Sequence, residues 1–141
     1  MKKGIFLFLL LLSSYSFSQS IIGKWKSIDE ETQKEESIIE IYKENGKFYG
    51  KIIKILDPKK TNALCENCKG KNKNKRIVGL VIINGLKKDG NEWSGGKVLD
   101  PKNGKKYKCY ITLKNENTMK LRGYIGFAVF GRTAYWYRVK G

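Results

Sequence analysis

The three cysteines are the residues of this sequence whose types and spacing most directly suggest chemistry. Cys65 and Cys68 form a Cys-x-x-Cys pair, and Cys109 is the third cysteine. In different proteins such a pair is half of a zinc site, a redox-active dithiol or a structural disulfide. Each of these alternatives makes a different demand on the rest of the chain.

A metal site is disfavoured because the chain contains no histidine, and three cysteines supply only three soft ligands. Asp57 or Glu66 would have to be the fourth ligand, so we expect no metal. Thiol oxidoreductases place the motif at the start of a helix, which lowers the thiol pKa. This pair instead lies in a Lys- and Asn-rich segment, although Lys69 beside Cys68 would favour a thiolate.

The first eighteen residues, MKKGIFLFLLLLSSYSFS, predict that the protein is exported. Two lysines, an apolar run at residues 5–12 and small polar residues are the parts of a secretory signal peptide. We expect cleavage after Ser18, with Ser20 as the alternative. The apolar run is much shorter than the roughly 20 residues of a spanning helix, so we predict a periplasmic or secreted protein that does not span the membrane.

Export favours a structural disulfide, and an odd number of cysteines leaves one thiol unpaired. Alternation along the strand predicted at residues 105–114 places Cys109 on the same face as Tyr107 and Ile111, which we expect to be the interior. Loop-closure entropy slightly favours a bond between Cys68 and Cys109, because it closes a longer loop than a bond within the Cys-x-x-Cys pair. A bond from Cys65 to Cys109 is the third possibility, and the sequence leaves the pairing open.

Positive charge dominates the composition, with 29 Lys and Arg against 13 Asp and Glu and a formal net charge of +16. Such a charge attracts anionic partners. Because no nucleic-acid-binding motif is present, we expect an anionic surface of the cell envelope, and no nucleic acid, to be the electrostatic partner. Without histidine no Ser-His-Asp or Cys-His arrangement is available, so we expect no catalytic residue and no cofactor.

Short segments rich in β-branched and aromatic residues alternate with Asn-Gly, Asp-Gly and Gly-Gly turns from residue 22 onward. They predict eight strands at residues 22–28, 37–44, 47–56, 77–86, 92–99, 105–114, 118–127 and 133–140. Sequential antiparallel strands close most simply into an up-and-down β-barrel, because closure removes exposed edges. We therefore predict one all-β domain over residues 22–140, with a long loop at residues 57–76.

An eight-stranded barrel is either filled by its own side chains or holds one small ligand. Aromatic and arginine side chains on the predicted strands are the candidates for contacting such a ligand. They are Tyr49, Trp93, Tyr107, Arg122 and Arg132. Arg132 shares one face of the last strand with Trp136 and Arg138, and the sequence leaves open whether that face is interior.

The triplet Gly23-Lys24-Trp25 on the first strand, with Arg138 on the last, resembles the signature of the lipocalins and calycins. In that family the first-strand tryptophan packs at the closed end of the barrel and the late arginine lies across it. The resemblance therefore implies that Trp25 and Arg138 are structural partners.

The chain over residues 22–140 also resembles a bacterial family of exported proteins called domain of unknown function 2147. The matching stretches are GKWKSID, IIEIYKENGKFYGKIIKILDP, GLKKDGNEWSGGKVLDPKNGKKYKC and LRGYIGFAVFGRTAYWYRV. This resemblance implies a lipocalin-like barrel and no established activity.

We expect a non-enzymatic binder of a small apolar or amphipathic molecule in the cell envelope. The alternatives are a module that binds anionic glycan or lipid, and a thiol-redox protein that uses Cys65 and Cys68.

Overall fold

The computed structural model describes residues 19–140, so the signal peptide predicted at residues 1–18 lies outside the described residues. Eight strands follow one another along the chain. They are β1 (Gly23–Ile28), β2 (Glu35–Glu44), β3 (Lys47–Ile55), β4 (Val81–Asp89), β5 (Glu92–Leu99), β6 (Lys106–Asn115), β7 (Thr118–Tyr124) and β8 (Gly131–Arg138). Each strand pairs antiparallel with the next, and β8 pairs with β1. The predicted eight-stranded, closed up-and-down barrel is confirmed.

The two ends of the barrel are built differently. Tight turns join β2 to β3, β4 to β5 and β6 to β7 at one end, which we call the closed end. The first of these turns is Asn45-Gly46, where both residues have the positive φ angles of a type I′ hairpin. Longer connections at residues 29–34, 56–80, 100–105 and 125–130 surround the other end, which we call the mouth.

Large side chains fill the closed half of the interior. Alternation along each strand turns Trp25, Ile41, Trp93, Ile111 and Met119 inward, and all of them are buried. The ring of Trp93 meets that of Phe48 edge-to-face, with 6.3 Å between centroids. This half is a packed core.

Several strand boundaries differ from those predicted, and glycine explains two of them, the start of β4 and the end of β7. β4 begins at Val81 because the preceding residues form a turn in which Gly79 has φ +99° and Leu80 N–H donates to the Ile77 carbonyl. β7 ends at Tyr124 because Gly126 has φ +76° and turns the chain away from the sheet. The apolar residues after Tyr124 therefore form a loop.

The predicted long loop lies between β3 and β4 and contains two short 3₁₀ helices, Pro58–Lys60 and Gly70–Asn72. Asp57 starts the first of them by accepting a hydrogen bond from Lys59 N–H at 3.0 Å. Within the described part of the chain, no helix has both the length and the apolar character needed to cross a bilayer.

Candidate ligand-binding site

A cavity of about 480 Å³ occupies the mouth half of the barrel. Several interior positions in the mouth half carry side chains too short to reach across the barrel, among them Ser27, Ser37, Gly123 and Ala134. The space that large side chains fill at the closed end is therefore left open here. Its volume falls within the range of small-molecule sites, roughly 300–1,000 Å³.

Most of the cavity wall is apolar. This apolar part is formed by Ile39, Ile52, Ile82, Val98, Leu121 and Trp136, which come from six different strands. Polar groups lie closer to the mouth. The hydroxyls of Ser27 and Ser37 are 2.7 Å apart, and the Tyr107 hydroxyl accepts a hydrogen bond from Asn103 Nδ2 at 2.9 Å. A ligand with an apolar body and one polar end would place its body against the apolar wall and its polar end at the mouth.

One side of the rim is held by ion pairs. Lys102 Nζ lies 3.0 Å from Asp29 Oδ2 and 2.6 Å from Glu36 Oε1, so the β5–β6 turn is joined to the β1–β2 region. Hydrogen bonds from Thr32 N–H and from Lys102 hold the pKa of Asp29 well below its usual range. Burial lowers the pKa of Lys102, but its hydrogen bonds to Glu36 and Asp29 outweigh this and raise it.

Arg132 also places a positive charge at the rim, but unlike Lys102 it is not ion-paired within the described residues. It lies on the inner face of β8, opposite Gly123 of β7, and lines the cavity. Within residues 19–140 its guanidinium forms no hydrogen bond or ion pair. Glu30 and Asp100 also line the rim, and Asp100 Oδ1 accepts a hydrogen bond from Lys102 N–H at 2.9 Å. Arg132 is thus available to an anionic group in the cavity.

The structure brings two of the five sequence-predicted ligand contacts, Tyr107 and Arg132, together in the cavity. Trp93 lies in the packed closed half. Tyr49 is on the outer face, stacked on Tyr42 with centroids 5.7 Å apart. Arg122 also points outward and donates to the Ala128 carbonyl.

Sequence reasoning did not identify the serine pair at the mouth. Ser27 lies two residues after Trp25 and is 6% exposed. Alternation from an inward-facing tryptophan would have placed this hydroxyl inside the barrel.

Trp25 and Arg138 meet at the closed end. They are register partners of β1 and β8, and the Arg138 Cζ lies 4.3 Å from the centroid of a Trp25 ring. The guanidinium donates to the carbonyls of Glu116 at 3.0 Å, Ile22 at 3.1 Å and Ser20 at 2.7 Å. One side chain therefore ties the entry to β1, the β6–β7 turn and the end of β8 together.

The disulfide joins Cys65 to Cys68, whose Cα atoms are 5.3 Å apart, and Cys109 is a buried free thiol. The slight preference for a Cys68–Cys109 bond was wrong. Chain entropy favoured the longer loop, but Cys109 lies inside the barrel on β6, whereas the Cys-x-x-Cys segment folds as a turn outside it.

The cystine turn supports the rim of the cavity. Asn67 Nδ2 donates to the Lys102 carbonyl at 2.8 Å, and Cys65 Sγ lies 3.7 Å from the Pro101 carbonyl oxygen. A Cβ at Gly104 would collide with the Asn67 carbonyl oxygen, so only glycine permits this approach. Because both cysteines are buried, this geometry favours a structural role over thiol exchange.

We predict that Cys109 is unreactive in the folded protein. Burial raises the pKa of its thiol to about 12, so at about pH 8 only roughly one molecule in 10⁴ carries the reactive thiolate. Iodoacetamide labelling followed by mass spectrometry should find no adduct on the native chain. After unfolding in urea without a reductant, one adduct should appear, since the other two cysteines remain bonded. Rapid labelling of native protein would contradict the burial of this side chain.

Comparisons with known proteins agree with the fold. Protein HP1028 from the human pathogen Helicobacter pylori, described as belonging to the lipocalin family, has a similar structure, with a TM-score of 0.76, 22% identity, and coverage of 86% of this chain and 84% of that chain. At this identity the likeness shows a shared fold alone. No curated protein matches the sequence. The model of a family described as an uncharacterized protein conserved in bacteria, DUF2147, matches residues 23–138, and the chain therefore belongs to the DUF2147 family.

Proposed function

We propose that this protein binds one small amphipathic molecule in the mouth cavity, and that it does so outside the cytoplasm. The observation that carries the proposal is the cavity of about 480 Å³, which is apolar over most of its wall and polar at its rim. The barrel leaves this space open while its closed half is packed. The fold shared with a lipocalin-family protein supports the same conclusion.

The charged residues at the rim indicate which polar group the bound molecule carries. Lys102 is already paired with the carboxylates of Asp29 and Glu36, whereas Arg132 has no counter-ion within the described residues. A carboxylate or phosphate bound at Arg132 would gain a charge-assisted hydrogen bond. The apolar part would lie against side chains such as Leu121 and Trp136. The ligand class is therefore an apolar chain or ring system with one anionic group.

A fluorescence titration with cis-parinaric acid tests this proposal, because the conjugated chain of this fatty acid fluoresces in apolar surroundings. We expect saturable binding of one molecule per chain. Replacing Arg132 with glutamine should weaken binding of the acid by about tenfold, corresponding to about 1.4 kcal/mol. Binding of the methyl ester, which lacks the charge, should be unchanged by the same substitution.

Two results would contradict the proposal. If neither the acid nor the ester bound saturably, the cavity would not be a binding site for amphipathic molecules. If R132Q weakened binding of the acid and binding of the ester equally, the arginine would maintain the shape of the mouth and would not pair with an anion. Native mass spectrometry of protein purified from its own host provides a second test, since a co-purifying small molecule should be released on unfolding.

A further inference from the structure

The loop between β7 and β8 exposes a cluster of apolar side chains beside the mouth. Ile125, Phe127, Val129 and Phe130 are 64%, 76%, 75% and 72% exposed, respectively. Residues 125–130 contain no charged side chain. Single exposed apolar residues are ordinary, but a contiguous group of this kind marks a surface that contacts another apolar phase or molecule. We call residues 125–130 the apolar loop.

The apolar loop has a defined conformation, and several of its backbone groups are already hydrogen-bonded. Arg122 reaches from the outer face of β7 and donates to the carbonyls of Ala128 at 3.0 Å and Val129 at 3.3 Å. Phe130 N–H donates to the Phe127 carbonyl at 3.0 Å. Backbone groups that enter the apolar part of a bilayer must be bonded within the protein. The apolar loop meets part of that requirement before it contacts a bilayer.

A basic surface adjoins the apolar loop. The four neighbouring strands β6, β7, β8 and β1 contain nine Lys and Arg residues, seven of them on the outer face, and no Asp or Glu, although the chain has 13 acidic residues. We call the outer face of these strands the basic wall. Five of its lysines form no hydrogen bond or ion pair within the described chain: Lys24, Lys106, Lys108, Lys114 and Lys120.

Tyrosines stand among the lysines of the basic wall. Tyr135 and Tyr137 are 42% and 41% exposed, and Tyr110 and Tyr124 lie beside each other with ring centroids 6.4 Å apart. Tyrosine rings are favoured at the boundary between lipid headgroups and water, because one end of the side chain is apolar and the other is polar. Charge, aromatic residues and apolar residues thus occupy one continuous side of the barrel.

We propose that the apolar loop and the basic wall dock the barrel onto an anionic lipid bilayer. The loop enters the boundary between headgroups and acyl chains, and the lysines face the lipid phosphates. An anionic polysaccharide would complement the charge of the lysines but would not bury the four exposed apolar side chains. A second copy of this chain would cover the loop only by bringing two basic walls close together. The lysine-rich connection at residues 56–80 is the other basic region, but Leu64 is its one large exposed hydrophobic residue within the described chain.

Docking in this orientation brings the cavity to the membrane, because Ile125 and Phe130 line the cavity as well as belonging to the apolar loop. An amphipathic molecule could then pass between bilayer and barrel with little exposure to water. The docking proposal rests on the outer surface and does not require that the cavity bind a ligand.

Co-sedimentation of the purified protein with vesicles tests the proposal. We expect binding to phosphatidylcholine vesicles that contain about 30% phosphatidylglycerol, and weak binding to phosphatidylcholine alone. The double variant Phe127→Ser and Val129→Ser should lower the partition coefficient by roughly tenfold or more, because these side chains supply buried apolar area. Neither residue lines the cavity, so binding of cis-parinaric acid should be unchanged.

A second pair of variants tests whether vesicle binding depends on the basic wall or on the net charge of the protein. Lys108→Gln with Lys120→Gln removes two charges from the wall, and Lys71→Gln with Lys75→Gln removes two from the connection at residues 56–80. We expect the first pair to reduce vesicle binding at least tenfold more than the second. Thermal unfolding followed by circular dichroism should give similar midpoints for all variants, since the substituted side chains are exposed or at the strand surface.

Three outcomes would overturn the proposal. Equal loss of binding in the two lysine pairs would show that binding follows net charge and not the basic wall. Binding to soluble dextran sulfate as strong as that to vesicles, with no effect of the loop variant, would identify a glycan-binding surface. A dimer in analytical ultracentrifugation that the loop variant abolishes, with no vesicle binding, would show that a second copy covers the apolar loop.

Discussion

Replacing Trp25 with alanine is expected to lower the free energy of unfolding by about 3–5 kcal/mol. Trp25 is fully buried in the packed half of the barrel. Its indole N–H donates to the Ile21 carbonyl at 2.8 Å, and its ring lies under the guanidinium of Arg138. The substitution therefore removes a large buried volume, a hydrogen bond and a cation–π contact together. Urea unfolding followed by circular dichroism measures the loss.

Substitutions at the same end of the barrel separate these contributions. Trp25→Phe retains an aromatic ring without the indole N–H, so its cost should be smaller, and it gives a readable value if the alanine variant does not fold. Arg138→Lys keeps the charge but should lose most of the three carbonyl contacts, because an ammonium lacks the planar arrangement of donors. Tyr137→Ala, on the exposed outer face of β8, is the control and should cost much less. A cost for Trp25→Ala as small as that of the control would contradict the closed-end packing described above.

Replacing Gly123 with leucine is expected to weaken binding of cis-parinaric acid by more than tenfold, or about 1.4 kcal/mol. A Cβ at Gly123 would make ordinary contacts, 3.5 Å from Val98 Cγ1 and 3.7 Å from Tyr107 Cβ. The rest of the leucine side chain would then extend into the cavity and occupy the space of the ligand. Because a strand glycine costs conformational entropy, the variant should fold with stability within about 1 kcal/mol of the natural protein.

The matched control is Thr112→Leu, which adds an apolar side chain to the outer face of the neighbouring strand β6. It should leave binding of the fatty acid unchanged. Unchanged binding in Gly123→Leu, with the fold intact, would mean that the probe does not occupy the mouth cavity.

The number and order of the strands could be predicted because they depend on local patterns, and closure followed because it removes exposed strand edges. Turns such as Asn45-Gly46 and alternating apolar residues carry that information in short segments. The end of β7 was predicted three residues too late because Ile125 and Phe127 continue an apolar pattern that in the folded protein faces solvent. Local pattern does not reveal whether an apolar residue has anything to pack against.

The parts of the site that depend on contacts between distant segments could not be predicted. The inner face of β8 is decided by its register with β7, where Arg132 lies opposite Gly123, and both faces of β8 carry aromatic residues. The disulfide pairing depends on the packing of the cystine turn against the β5–β6 turn, through Asn67 and Gly104. The contacts of the cystine turn join residues more than thirty positions apart, beyond the reach of periodicity.

The polar contacts at the rim also determine where the entrance can widen. Lys102 joins the β5–β6 turn to the β1–β2 region, and Asn67 joins it to the long connection at residues 56–80. In the described chain, the hydrogen bonds of the apolar loop are made within itself and to Arg122. Gly126 lies near its start and Gly131 directly after it. Outward movement of this loop breaks no bond between rim segments. Outward movement of the other three rim segments breaks the bonds made by Lys102 or Asn67. For the ligand proposed above, we therefore predict entry and exit past the apolar loop, on the side of the barrel that carries the basic wall.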